Sequence, residues 1–306
     1  MAYPAQAGTP SYSATFIPEI WSRKLQVKFY DATVLTAISN NDYEGEIKNQ
    51  GDKVRIRTIP SIVINDYASG QALVNQRPTS ANIDLLIDKG KYWSTIVDDV
   101  QEHQADIDLM NMWSSDASEQ LKIVIDTDVL ANIATDVDAT NRGLTAGRLS
   151  ANVNLGVTGT PVGLTKANVI DSLIDLGQVL DENNIPETDR FVVMPAWACA
   201  MLKKSDLKEA SLTGDNVSVM RNGRLGMIDR FTLYASNLLP VVTDGANKVT
   251  TFYAGHKAGL TFANQIVKTE TLRAESTFGD IMRGLNVYGY KVIKGTALAT
   301  LYAYKA

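Results

Sequence analysis

The chain has 306 residues, 45% of them hydrophobic and 21% charged, an ordinary globular make-up with enough apolar material for one large domain or two. Its formal net charge of −5 argues against a protein that wraps nucleic acid with a basic face. No apolar run approaches the roughly 20 residues needed to span a bilayer, and the single cysteine, Cys199, excludes an intramolecular disulfide.

The first residues lack the basic start and apolar core of a signal peptide, so synthesis in the cytoplasm is expected. Residues 1–15 are small and polar and read as an extended arm. Ile17, Trp21, Leu25 and Phe29 then recur at steps of four and form one apolar stripe on a short helix, with Pro18 suited to its first turn. Residues 43–52 are turn-rich. Lys53 to Ile59 alternate charged and apolar side chains, the pattern of a strand with one exposed face, and Ile62-Val63-Ile64 continues it. Residues 66–82 are polar, and 83–88 give a return strand. Antiparallel pairing would set Lys53, Arg55 and Arg57 against Asp84 and Asp88, worth about 0.2–1 kcal/mol per pair. Two readings of this hairpin stand: two strands of an ordinary sheet, or a ribbon with little apolar surface that lies against another subunit.

Residues 96–137 contain neither Pro nor Gly. Ile96, Val100, His103, Ile107, Met110, Ser114, Ala117, Leu121, Val124, Asp128 and Ala131 fall in one stripe at helical spacing. Roughly forty residues at about 1.5 Å each predict a rod of about 60 Å. It is either an amphipathic helix packed on its own domain and broken near Ser114-Ser115, or a spine crossing a flat subunit. Residues 138–164 read as a surface loop with short irregular strands. Thr165 caps a predicted helix through Leu180 with Val169, Leu173, Leu176 and Leu180 inward. Phe191-Val192-Val193-Met194 is a buried strand and 197–202 a short helix. Residues 203–223 are polar. Strands follow over 225–236, 250–253, 265–272 and 281–304, with a helix or turn over 257–263 and breaks at Gly289 and Gly295. The blocks of helix and strand give an α+β fold.

Motifs for chemistry are missing from the sequence: no phosphate-loop, dinucleotide or nucleophile-elbow glycine pattern. His103 and His256 stand far apart without a second ligand motif, so a structural role is expected for each. Cys199, in an apolar run, reads as a buried inert thiol. Asp106 with Asp108, and Asp126 with Asp128, are two apart on a helix, do not face each other, and read as a solvated face. No catalytic, cofactor or metal residue is assigned.

Several stretches carry a resemblance together and in order. They are Phe16-Ile17-Pro18-Glu19-Ile20-Trp21, Asp42-Tyr43-Glu44-Gly45-Glu46-Ile47 and Gly51-Asp52-Lys53-Val54. Next come Asn184-Ile185-Pro186-Glu187, Arg190 to Pro195, Asn222-Gly223-Arg224-Leu225-Gly226 and Ser236-Asn237-Leu238-Leu239-Pro240. Ala254-Gly255-His256-Lys257-Ala258, Arg283-Gly284-Leu285 and Tyr288-Gly289-Tyr290-Lys291-Val292 complete the set. In these the chain resembles tailed-phage major capsid proteins, nearest to the coats of short-tailed phages. The resemblance implies the Hong Kong 97-type capsid fold. It places an N-arm at 1–45, an extended loop hairpin at 46–95, a peripheral domain with a long spine helix at 96–164 and 264–293, and an axial domain at 165–263 and 294–306.

The resemblance implies a shell subunit that self-assembles through pentamers and hexamers into an icosahedral capsid around double-stranded DNA, without sequence-specific binding. Trp21, Phe29, Arg55, Arg57, Asp84 and Asp88 are the expected subunit-interface residues. Expected partners are other copies, a scaffolding protein, a portal protein and a decoration protein, with no membrane. The expected location is the virion, after assembly in the host cytoplasm. An encapsulin-type compartment and a tail-tube subunit are the alternatives.

Overall fold

The computed structural model describes residues 28, 30–42, 53–99, 103, 108–205, 226–275 and 277–306. The predicted helix through Ile17, Trp21, Leu25 and Phe29, the turn-rich 43–52 segment and most of the polar 203–223 stretch lie outside them. In chain order the elements are α1 (Leu35–Ile38), β1 (Lys53–Arg57), β2 (Asn82–Leu86), β3 (Lys89–Asp98), α2 (Leu109–Asn132), β4 (Val162–Leu164), α3 (Val169–Glu182), β5 (Arg190–Met194) and α4 (Ala196–Lys204). They continue with β6 (Met227–Ile228), β7 (Phe231–Ala235), β8 (Val241–Asp244), β9 (Asn247–His256), β10 (Leu260–Arg273), β11 (Gly279–Val292) and β12 (Leu298–Lys305).

A seven-stranded mixed sheet runs β4-β12-β9-β5-β7-β6, with β8 on β9. β5 is its middle, parallel to β7 and antiparallel to β9, and all five of its residues are buried. Val192 and Met194 face one core with Leu173, Leu176 and Leu180 of α3 and Ala198 and Leu202 of α4. Phe191 and Val193 face a second core with Leu35, Ile38, Val129, Leu130 and Ile133. The two-residue period of a strand thus divides one short run between two apolar layers. The predicted inward residues of α3 are all buried. Its start differs: Asn168 stands at the N-cap, and its Oδ1 accepts from Thr165 N at 2.7 Å and from the Thr165 hydroxyl at 3.1 Å.

A three-stranded antiparallel sheet, β10-β11-β3, stands beside the second core, and α2 lies on it against β3 and β11. This corrects the predicted 96–137 rod. Residues 89–98 are a ten-residue strand, and α2 spans Leu109–Asn132. Tyr92, Trp93, Thr95, Ile96 and Val97 are strand formers, and pairing with β11 from Gly279↔Asp98 to Tyr288↔Lys89 overrides the helical spacing. The predicted stripe is also rotated. Val124 and Ala131 are exposed, while Ile125, Asp126, Val129, Leu130 and Ile133 are buried. Asp108 caps α2, accepting from Asn111 N at 3.1 Å.

The charged hairpin forms, β1 on β2, with Arg55↔Asp84 and Arg57↔Asn82 in register. It is shorter than predicted, because 58–81 holds no strand. It also has an apolar inner face within its own chain: Val54, Ile56, Leu85 and Ile87 pack with Ala263. Gly289 is not a break but lies inside β11. A Cβ there would overlap the Leu86 carbonyl oxygen, so glycine is what lets the hairpin root lie this close to the sheet.

Candidate functional site

The part of the chain that stands out is the loop carried by β1 and β2. Its base is rigid. Arg55 Nε lies 3.1 Å from Asp84 Oδ1, and Lys53 Nζ 3.9 Å from the other Asp84 oxygen. The ladder closes with Thr58 N on Ala81 O at 2.9 Å and Ser80 Oγ on Thr58 O at 2.5 Å. Where β2 turns into β3, Lys89 Nζ donates to Asp128 Oδ2 and to the Tyr290 hydroxyl, both at 2.9 Å, and lies 4.6 Å from the Tyr290 ring centre. The Tyr288 hydroxyl donates to the same Asp128 oxygen at 3.0 Å. Burial alone would lower the Lys89 pKa, but the bonds to Tyr290 and Asp128 outweigh it and hold the ammonium charged. The hairpin root is therefore pinned to α2 and β11 together.

The tip is built differently. Val63 N donates to Gln76 Oε1 at 3.0 Å and Gln76 Nε2 donates to Val63 O at 2.7 Å, so a side-chain amide stands in for a strand partner. Around Gly70 at φ +84°, Ala68 N donates to Gln71 Oε1 and the Gln71 main-chain N donates to the Ala68 carbonyl, both at 3.0 Å. This polar scaffold leaves apolar side chains outward. Ile59 is 96% exposed and Ile64 90%, with Ile62, Val63, Tyr67, Leu73 and Val74 also exposed. So many large apolar side chains exposed in one loop point to an interaction site.

A second feature adjoins α2. The segment before α1 is clipped along this helix by two aspartates. Asp116 accepts from Lys28 at 2.5 Å and from the Tyr30 hydroxyl at 2.8 Å. Asp126, 4% exposed, accepts from Val34 N at 2.6 Å and Leu35 N at 3.2 Å. Burial raises the Asp126 pKa, and the two amides only partly offset that.

The sequence-predicted site residues separate as follows. Arg55 and Asp84 meet; Arg57 sits opposite Asn82; Asp88 lies exposed beyond the end of β2. Trp21 and Phe29 fall outside the described residues. His256 is structural, its Nδ1 accepting from Ala258 N at 3.1 Å, and His103 is exposed. Cys199 is a buried free thiol whose pKa burial pushes up. Asp126 and Asp128 correct the solvated-face reading: one holds the N-terminal segment and the other the hairpin root. The sequence did carry a signal for Asp126, which shares a helix face with Val129, Leu130 and Ile133, three, four and seven residues on. Among the described residues no group of three His, Cys, Asp or Glu could hold a metal ion, and no helix is long and apolar enough to cross a membrane.

The family model described as phage capsid protein matches residues 84–305. The chain belongs to the phage capsid protein family. Solved structures agree in fold. One from Mycobacterium phage Che8 is 26% identical, with 95% of this chain and 98% of that one covered and a TM-score of 0.77. The capsid of Cyanophage P-SCSP1u is 17% identical over 95% and 94%, with a TM-score of 0.73. The capsid of Ralstonia phage GP4 is 12% identical over 97% and 99%, with a TM-score of 0.67. No curated protein matches the sequence. The fold is the Hong Kong 97-type capsid fold, and the function is that of a major capsid protein: many copies of this capsid protein associate into a shell.

Proposed function

We propose that the 58–81 tip of the capsid protein is the part that crosses to a neighbouring copy, and that it closes the shell through pentamers and hexamers. The observation that carries this is the contrast within one loop: a base pinned by Lys89, Asp128 and the buried Leu85, and a tip whose seven large apolar side chains face solvent. Burying a Val, Leu or Ile side chain fully is worth about 1.5–3 kcal/mol. Repeated at every subunit contact, that is enough to drive association while each chain folds without it.

In this reading residues 1–45 act as an N-arm, 46–95 as the extended loop, 96–164 with 264–293 as the peripheral domain, and 165–263 with 294–306 as the axial domain. Trp21, Phe29, Arg55, Arg57, Asp84 and Asp88 lie at or beside subunit contacts. The shell encloses double-stranded DNA without reading its sequence and assembles in the host cytoplasm. Scaffolding, portal and decoration proteins join it there. The role is construction rather than catalysis.

The test is electron microscopy of the protein expressed alone or with the scaffolding protein encoded beside it, for wild type and for Ile59→Ser, Ile64→Ser and Val74→Ser combined. Wild type gives closed shells or rings of five and six. The variant keeps its circular dichroism and loses the shells. A variant that assembles as well as wild type refutes the role of the tip.

A further inference from the structure

A cavity of about 330 Å³ opens beside the edge of the seven-stranded sheet, lined by Thr165, Lys166, Trp197, Met201, Lys204 and Lys305 among others. The three lysines come from three separate places: the turn after β4, the end of α4 and the end of β12. They are not a charge run in the sequence but a convergence made by the fold. All three are exposed, and among the described residues no carboxylate pairs with any of them. Ala306 lines the same rim.

The three gather at one place in a chain of net charge −5. Other cations of the described residues divide: Lys53, Arg55, Lys89, Lys268, Arg273, Arg283 and Lys291 each meet a carboxylate, while Lys91, Lys248 and Lys257 stand unpaired and scattered over the surface, so what sets the three pocket lysines apart is that they share one cavity. Ammonium groups of one sign around a concavity focus the local field and draw anions to it. The wall between them is aromatic. Trp197 is half-buried and held edge-to-face by Phe252, with ring centres 5.6 Å apart at 62°. The volume lies at the lower end of small-ligand sites, which span about 300–1,000 Å³.

We infer that this cavity binds phosphate groups, and that its ligand is the phosphodiester backbone of nucleic acid, with Trp197 as the surface against which a sugar or base packs. Lysines serve phosphate as mobile point charges, and an aromatic wall beside them is the combination that holds nucleic-acid strands irrespective of sequence. A local site of this kind is compatible with an acidic chain, because it asks for a few contacts and not for a basic face. It rests on the shell reading only for the source of the nucleic acid. Phosphate binding by the cavity stands or falls separately.

The test uses the full chain and a fluorescein-labelled single-stranded oligonucleotide read by anisotropy across a salt series. Lys166→Gln, Lys204→Gln and Lys305→Gln are combined and compared with Lys91→Gln, Lys248→Gln and Lys257→Gln, which remove the same charge elsewhere. The pocket triple loses at least about tenfold in affinity and its salt slope becomes shallower by about 2, as three lost phosphate contacts at about 0.7 each require. The control triple stays within about threefold, because it keeps those contacts. Equal losses in both triples, or a wild type that does not bind, overturn the site. Tripolyphosphate that displaces the oligonucleotide equally well at matched phosphate overturns the nucleic-acid assignment. Thermal melting checks folding, and shells of the pocket triple seen by microscopy report on the shell reading independently.

Discussion

Arg190 begins the central strand with its side chain fully buried, and its removal should be among the most damaging single changes in the molecule. Its Nη2 lies 2.7 Å from Asp181 Oδ1 and 2.6 Å from the Ile185 carbonyl, and its Nε donates to the Pro186 carbonyl at 2.8 Å. The side chain thus ties the end of α3 and the following turn to β5. Asp181 is 40% exposed and keeps a second partner, Arg230, at 2.8 Å. Burial alone would raise the Asp181 pKa; the two guanidinium groups outweigh it and hold the carboxyl below its usual range. In Arg190→Met the carboxylate therefore stays paired, and the main loss falls on two carbonyls deprived of a charged donor. At about 1.5–3 kcal/mol for each of the two bonds, the cost is about 3–6 kcal/mol, overlapping the range for breaking a buried ion pair. Against a total stability of about 5–15 kcal/mol, that is a large share. Urea unfolding followed by circular dichroism reads it. Arg230→Ala is the comparison, a partly exposed partner expected to cost below about 1 kcal/mol. An Arg190→Met protein within about 1 kcal/mol of wild type, or an Arg230→Ala protein equally weakened, refutes the argument.

Arg55→Asp places like charges across β1 and β2 and costs about 0.2–1 kcal/mol in this exposed pair; adding Asp84→Arg restores it, with sedimentation reporting assembly and circular dichroism the fold. Reversal of Arg55 and Arg57 together lowers the yield of shells more than it lowers the melting temperature, and equal losses count against an interface role. Asp126→Ala strands the Val34 and Leu35 amides at about 1–3 kcal/mol each, whereas Asp126→Asn keeps an acceptor and costs much less; equal urea midpoints for the two variants contradict this. Glu182 accepts from Leu149 N at 2.7 Å and Ser150 N at 3.1 Å, and Gln178 and these amides lower its pKa from 4.5 to about 2. A depressed carboxylate gives stability that is present above the unfolded value and lost as pH falls through the folded one. Pepsin cleavage near the exposed Leu149 therefore rises as pH falls from 4.5 to about 2 in wild type, and Glu182→Gln is cleaved throughout that range.

Local rules reached the parts of this fold where one face is wet and the other dry. The alternation of Lys53 to Arg57 pointed to β1 and to its basic side chains meeting Asp84, though not to the register, which leaves Arg57 opposite Asn82 and Asp88 outside the ladder, and the four-residue recurrence of Val169, Leu173, Leu176 and Leu180 pointed to the buried face of α3. They failed where a distant partner decides. Residues 96–98 look helical by spacing, yet β11, which lies far along the chain, recruits them into a sheet. Ile62-Val63-Ile64 has the composition of a strand but no strand lies opposite it, so it stays open. Asp128 looked solvated because nothing nearby in sequence announces Lys89 or Tyr288, which arrive from 39 residues before and 160 after. The interface role of Arg57 and Asp88 came from resemblance, and within one chain these two side chains do not meet each other.

The Gln76 amide that occupies both main-chain groups of Val63 has a consequence for the life of the subunit before the shell exists. Ile62-Val63-Ile64 is the sort of β-branched, uncharged run that stacks into fibrils when its backbone is free. An open edge with unspent donors and acceptors would template that stacking at high protein concentration. With the amide hydrogen and carbonyl of Val63 engaged and Pro60 just before the run, the middle residue of the run meets a neighbour through its side chain alone. One rung of the ladder that such stacking needs is already taken within the chain.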